Sequence, residues 1–121
     1  MDRELKSLRG VDELEQALHK SHVTPVLFFK HSYTCGISAE ALDELRAHLS
    51  DQLGAPEDAV HYAMVTVQTH RDLSNEIAAR LGVRHETPQA ILVRGGKVVW
   101  SASHFRVNAA ELQKALATVD S

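Results

Sequence analysis

The run Pro25-Val26-Leu27-Phe28-Phe29-Lys30 constrains this chain more than any other feature. An unbroken apolar stretch so short and so rich in strand formers suits a strand covered on both faces, so the fold must place other layers above and below it. The pattern then changes period. After His31-Ser32-Tyr33-Thr34, the residues Leu42, Leu45, Leu49 and Leu53 recur every three or four positions with no Gly or Pro between them, which predicts the longest helix. The same alternation extends in both directions. Leu5 and Leu8 mark a weak first strand, and Val11, Leu14 and Leu18 one face of a helix. Gly54-Ala55-Pro56 breaks the long helix, and Val60 to Val67 reads as a second buried strand. Thr69 with Asp72 resembles a helix N-terminus, and Leu73, Ile77 and Leu81 form the apolar face of a helix ending at Gly82. Ala90–Val93 and Val98–Trp100 flank Arg94-Gly95-Gly96-Lys97, where two glycines supply the positive φ angles of a tight hairpin. Asn108 with Glu111 fits a capping box for a last helix carrying Leu112, Leu116 and Val119. The order β-α-β-α-β-α-β-β-α over residues 1–121 predicts a single α/β domain. Its sheet is mixed, four- to five-stranded, with helices on both faces, because parallel neighbours need crossovers and the hairpin adds antiparallel strands. Phe28, Phe29 and Trp100 fall within strand patterns and read as core.

Composition narrows the function. Thirteen Lys and Arg against sixteen Asp and Glu give a net charge of -3, scattered in sign, which argues against nucleic acid as a partner. No apolar run approaches the ~18 residues of a membrane span, and Met1 to Gly10 lacks the apolar core of a secretory signal. The expectation is a cytoplasmic protein without a membrane partner. Eight histidines are spread along the chain and not clustered at ligand spacing, so most are expected to be solvated and no metal site is expected.

Cys35 is the only cysteine, so thiol chemistry must involve a second molecule. Inside a strand or a helix face a lone cysteine would read as an inert small hydrophobe. Cys35 instead falls between a predicted buried strand and a predicted helix start, where unpaired N–H groups and the helix dipole favour the thiolate, the nucleophilic form in disulfide exchange. Ser38, three residues on, stands where a dithiol enzyme keeps its resolving cysteine and is expected to bring its hydroxyl near the sulfur; Cys35-Gly36-Ile37-Ser38 is a monothiol version of Cys-x-x-Cys. Thr87-Pro88 directly precedes the third central strand; pattern alone favours a trans bond there.

The segments Phe29-Lys30-His31-Ser32-Tyr33-Thr34-Cys35-Gly36-Ile37-Ser38, Arg71-Asp72-Leu73-Ser74-Asn75-Glu76-Ile77-Ala78, His85-Glu86-Thr87-Pro88-Gln89 and Ser103-His104 together resemble the YtxJ-like monothiol bacilliredoxins. They occur in order across nearly the whole chain; Gly36 stands where the family pattern has a proline. The resemblance implies a thioredoxin-like fold, which is also the fold that the element order describes. It implies that Cys35 takes a low-molecular-weight thiol, bacillithiol or else glutathione, from the mixed disulfides of S-thiolated client proteins. That thiol is a co-substrate, with no tightly bound cofactor. Thr34, Gly36, Thr87 and Pro88 would contact the substrate, with Thr87-Pro88 as a cis-proline loop lying against Cys35 and offering a free backbone N–H and C=O. His31 and His85 flank the site and would help to hold a thiolate or a client carboxylate, although His31 also reads as a structural histidine at a strand end. His104 belongs to the pattern with no role beyond packing or hydrogen bonding.

Two other functions fit parts of the chain. Cys-Gly-x-Ser also resembles the site of monothiol glutaredoxins that hold an iron-sulfur cluster with glutathione, although His-Glu-Thr-Pro-Gln is not their usual proline loop; a cluster carrier would be brown as isolated. A non-enzymatic metal-binding adaptor using His31 and Cys35 has a poor tetrahedral set, and metal analysis separates it.

Overall fold

Val26–His31 forms a strand in which all six residues are buried, as the apolar run requires. The computed structural model describes residues 5–34, 36–51 and 60–119. Its strands are β1 (Leu5–Ser7), β2 (Val26–His31), β3 (His61–Thr66), β4 (Gln89–Arg94) and β5 (Lys97–Ser103), arranged in one five-stranded sheet of order β1-β3-β2-β4-β5. β1 and β2 run parallel to β3, whereas β2 pairs antiparallel with β4 and β4 with β5, so the sheet is mixed. α1 (Val11–Lys20), α2 (Gly36–Asp51) and α3 (Arg71–Leu81) connect the first four strands, and α4 (Ala109–Val119) follows a 3-10 turn at His104–Arg106. The hairpin turns at Gly95 and Gly96, whose φ angles of 62° and 77° belong to the left-handed region that glycine adopts without strain.

Strand alternation divides the core into two layers. Leu27, Phe29, Ala90 and Leu92 face Leu45, Leu49, Leu112 and Leu116 of α2 and α4. Val26, Phe28, Ile91 and Val93 face Leu14, Ala17, Leu73 and Ile77 of α1 and α3. Helices therefore cover both faces, and Trp100 packs partly buried against the first layer, as expected of a core residue. No helix among the described residues is long and apolar enough to cross a membrane.

The elements depart from the sequence reading in small ways that bear on function. β2 continues one residue past the apolar run, through His31, because its carbonyl accepts the Val67 N–H at 2.8 Å and so extends the ladder with β3. α3 starts one residue after the expected cap: its N-cap is His70, with no side-chain cap bond, and the Thr69 hydroxyl lies 2.9 Å from His70 Nδ1 instead. His31 and His48 are buried rather than solvated; the His48 ring finds the Tyr62 hydroxyl at 3.0 Å. Leu53, the break at Gly54-Ala55-Pro56 and Cys35 lie outside the described residues.

Asn108 caps α4 as its position predicts, with its Oδ1 accepting the Glu111 N–H at 2.9 Å. Asn108→Ala is expected to cost about 1 kcal/mol, lowering Tm by about 4 °C in thermal unfolding.

Candidate active site

The register sets the site. Lys30 pairs with Gln89 across β2 and β4, so His31 at the end of β2 and Pro88 just before β4 stand side by side at one end of the sheet. The Thr87–Pro88 bond is cis, as the resemblance implies and against the general preference of X-Pro bonds. Cys35 itself lies outside the described residues; it falls in sequence between Thr34 and Gly36, and Gly36 is the first residue of α2.

His31 and Ser38 are brought together. Alternation turns His31 to the α2 face of β2, where its ring stacks on Phe29 with centroids 5.9 Å apart and its Nδ1 lies 2.8 Å from Ser38 Oγ in the first turn of α2. Ser38 is fully buried, and its oxygen also accepts the Ser32 N–H at 2.9 Å. Burial, reinforced by the Arg46 charge and opposed by the Ser38 contact, holds His31 below its ordinary pKa, so the ring is biased toward the neutral form. A neutral imidazole has one donor and one acceptor nitrogen. With its proton on Nε2, His31 accepts a hydrogen bond at Nδ1 from the Ser38 hydroxyl. With its proton on Nδ1, Ser38 accepts twice and its own proton is left for a third group. Ser38 is thus more than a surrogate for a resolving thiol: it ties the start of α2 to the end of β2.

The loop at 32–34 is strapped by a residue the sequence reading missed. Gln68, just beyond β3, donates from Nε2 to Ser32 Oγ and to Thr34 Oγ1, the latter at 2.9 Å, and its Oε1 accepts the Tyr33 N–H at 3.4 Å. A glutamine in a polar stretch carries no pattern; only the parallel register of β3 against β2 puts it here.

His85 does not join His31. Lys30 points to the opposite face of β2, and its Nζ meets His85 Nδ1 at 3.1 Å, with the buried Ser74 Oγ 3.3 Å from the same nitrogen. Burial lowers the Lys30 pKa to about 8, against the attraction of Glu86. The same proline loop is held from the other side by His104, whose N–H donates to the Pro88 carbonyl at 2.9 Å and whose φ of 57° is left-handed. Proline has no N–H and the Pro88 carbonyl is engaged, so any backbone N–H that this pair offers is that of Thr87. Beside this corner runs an open groove of about 360 Å³, floored by Ile37, Ala41 and Val107, edged by Glu40 and Glu44, and flanked by Phe105, which is 69% exposed. Among the described residues no three His, Asp or Glu side chains converge as a metal set.

Known structures share this architecture. A chain described as a candidate oxidoreductase with a thioredoxin fold is 34% identical, covers 91% of each chain and superposes with a TM-score of 0.78. The thioredoxin of Malassezia sympodialis is 16% identical over 100% of this chain and 96% of its own, with a TM-score of 0.75. The thioredoxin of Trypanosoma brucei brucei is 14% identical over 99% and 94%, also at 0.75. The last two share the fold alone. A mixed sheet with a cis proline at the end of its central strands, in a chain similar to these, defines a thiol-disulfide oxidoreductase of the thioredoxin fold. Within that class the chain belongs to the monothiol bacilliredoxins: the family described as Monothiol bacilliredoxin BrxC matches residues 6–112.

Proposed function

We propose that this protein frees client proteins from mixed disulfides with a low-molecular-weight thiol, bacillithiol in the first place and glutathione as the alternative, through Cys35. The Cys35 thiolate attacks the small-thiol sulfur of the mixed disulfide. That S–S bond breaks, the client leaves as a thiolate that takes up a proton, and a new disulfide joins Cys35 to the small thiol. A second molecule of the small thiol then attacks this adduct, leaving as a symmetrical disulfide and returning Cys35 to the thiol. The observation that carries the reading is positional: the chain's one cysteine immediately precedes Gly36 in the sequence, and α2, which Gly36 opens, starts at the sheet end where the cis Thr87–Pro88 loop lies. Membership of the monothiol bacilliredoxins supports it. Thr87 offers its backbone to an extended client segment as an added strand would need, and Thr34 and Gly36 are the sequence neighbours of Cys35. His31 steadies Ser38, three residues after Cys35 in the sequence. His85 serves the client side of the loop.

The expected result of mixing the reduced protein with a bacillithiolated client is a client lighter by one bacillithiol and a protein heavier by one, located at Cys35 by intact mass and peptide mapping. A client released with no adduct on Cys35 at any time point would overturn the reading.

A further inference from the structure

Among the described residues Lys30 is the only lysine, arginine, aspartate or glutamate that is buried, and it is buried completely. Its surroundings form a polar network that the exchange chemistry does not use. Nζ meets His85 Nδ1 at 3.1 Å, and Ser74 Oγ of α3 lies 3.3 Å from that nitrogen. Gln89, opposite Lys30 on β4 and on the same face, donates from Nε2 to the Arg84 carbonyl at 2.9 Å, while its buried Oε1 has no partner among the described residues. The network therefore joins β2, α3 and β4 to the segment 84–88 that leads into the cis proline.

The chemistry of the contact decides the state of the ring. An ammonium carries donors and no lone pair, so the His85 nitrogen facing it must be an acceptor, and the imidazole is neutral with its proton on Nε2. Burial, then the charges of Lys30 and Arg71, hold His85 below its usual pKa against the opposing pull of Glu86, in keeping with a neutral ring. Nε2 lies across the ring from Nδ1, so the N–H is directed away from Lys30, and His85 is an exposed residue.

We propose that Lys30 is a positioning residue for the docking surface beside the cis proline: its ammonium fixes His85 as the Nε2–H imidazole, so that the loop offers a constant hydrogen-bond donor to a backbone carbonyl of the docked client. The substrate in this statement rests on the thiol-exchange reading, whereas the state of the imidazole does not. The donor is conditional on Lys30 remaining charged. Once Nζ loses its proton it gains a lone pair, either tautomer of His85 satisfies the contact, and the constant donor is gone. The charged and titratable groups facing this pair are Glu86 on the loop and Arg71 at the start of α3.

The test combines nitrogen-15 NMR of the histidine rings with kinetics on a bacillithiolated peptide and on bacillithiol disulfide, which has no client backbone. At neutral pH wild-type His85 should show a proton on Nε2 and a bare Nδ1, and Lys30→Met should show a mixture of tautomers. Lys30→Met should raise KM for the peptide about fivefold, the loss of one hydrogen bond, with kcat changed far less. Wild-type KM should rise as the pH passes about 8, where Lys30 deprotonates, and the KM of Lys30→Met should not. A wild-type His85 with its proton on Nδ1 or in mixed tautomers, or equal peptide KM values in the two proteins, overturns the proposal. A wild type that reacts with neither disulfide refutes the thiol-exchange reading instead, and the docking role falls with it whatever the tautomer.

Discussion

Cys35→Ser is expected to reduce the release of small thiol from a thiolated client to the uncatalysed background, and Cys35→Ala to do the same. A serine hydroxyl stays protonated at neutral pH and cannot displace a disulfide sulfur, and no other cysteine exists in the chain to take over. The measurement is client thiol appearance against time; full activity in Cys35→Ser would remove the thiol-exchange reading altogether. Ser38→Cys carries the argument further. A thiol one turn into α2 would compete with external thiol for the Cys35 adduct at an effective concentration on the order of millimolar or more, so the adduct should fall and an internal disulfide should appear. The gain has a structural cost. Ser38 Oγ accepts the Ser32 N–H and contacts His31 Nδ1 in a fully buried position, and a thiol does both weakly, which should destabilise the reduced form by about 1–3 kcal/mol. The variant should thus turn over by a dithiol route while melting earlier than wild type when reduced.

How far the sequence carried this far depends on whether a feature was periodic or paired. Strand and helix order was legible because apolar residues repeat with the period of each element, and the hairpin because Gly95-Gly96 meets a backbone demand few other residues satisfy. The cis proline needed the family resemblance, since isolated pattern favours trans. His31 was legible as a structural histidine at a strand end but its partner was not: Ser38, seven residues away on the next helix, satisfies its ring inside the core. Lys30 and Gln68 were illegible for a stronger reason. Lys30 meets His85 across 55 positions and Gln68 meets Ser32 across 36, so each contact exists only once two strands are in register. Polar contacts of this kind leave no periodic trace, and they are the ones that shape the site.

Lys30 should make the fold more stable as the solution becomes more alkaline. Its pKa is about 8 in the folded protein and 10.5 in an ordinary exposed lysine, because burial disfavours the ammonium more than Glu86 favours it. Below about pH 8 both states are protonated and the folded state carries the whole cost of burying the charge. Between about 8 and 10.5 the unfolded chain binds the extra proton, so unfolding becomes harder as pH rises, and above 10.5 the penalty is gone. The gap corresponds to about 3 kcal/mol. Lys30→Met removes the charge while keeping an unbranched side chain of similar length, and forfeits a contact with His85 worth about 1 kcal/mol; it should therefore stabilise the protein at pH 7 by about 2 kcal/mol, or about 8 °C in Tm. Cysteine, tyrosine and other lysine groups also titrate in this range, so the decisive quantity is the difference between Lys30→Met and wild type in urea unfolding at pH 7 and at pH 10. That difference should move by most of the 3 kcal/mol, from about 2 kcal/mol in favour of Lys30→Met at pH 7 to slightly in favour of wild type at pH 10, and change little below pH 7. A difference independent of pH would show that Lys30 is as well accommodated charged as neutral. The expected pattern gives the residue its meaning: a charge that costs the fold stability, on a strand otherwise built to exclude water, sits where it holds the imidazole of the segment leading into the cis proline.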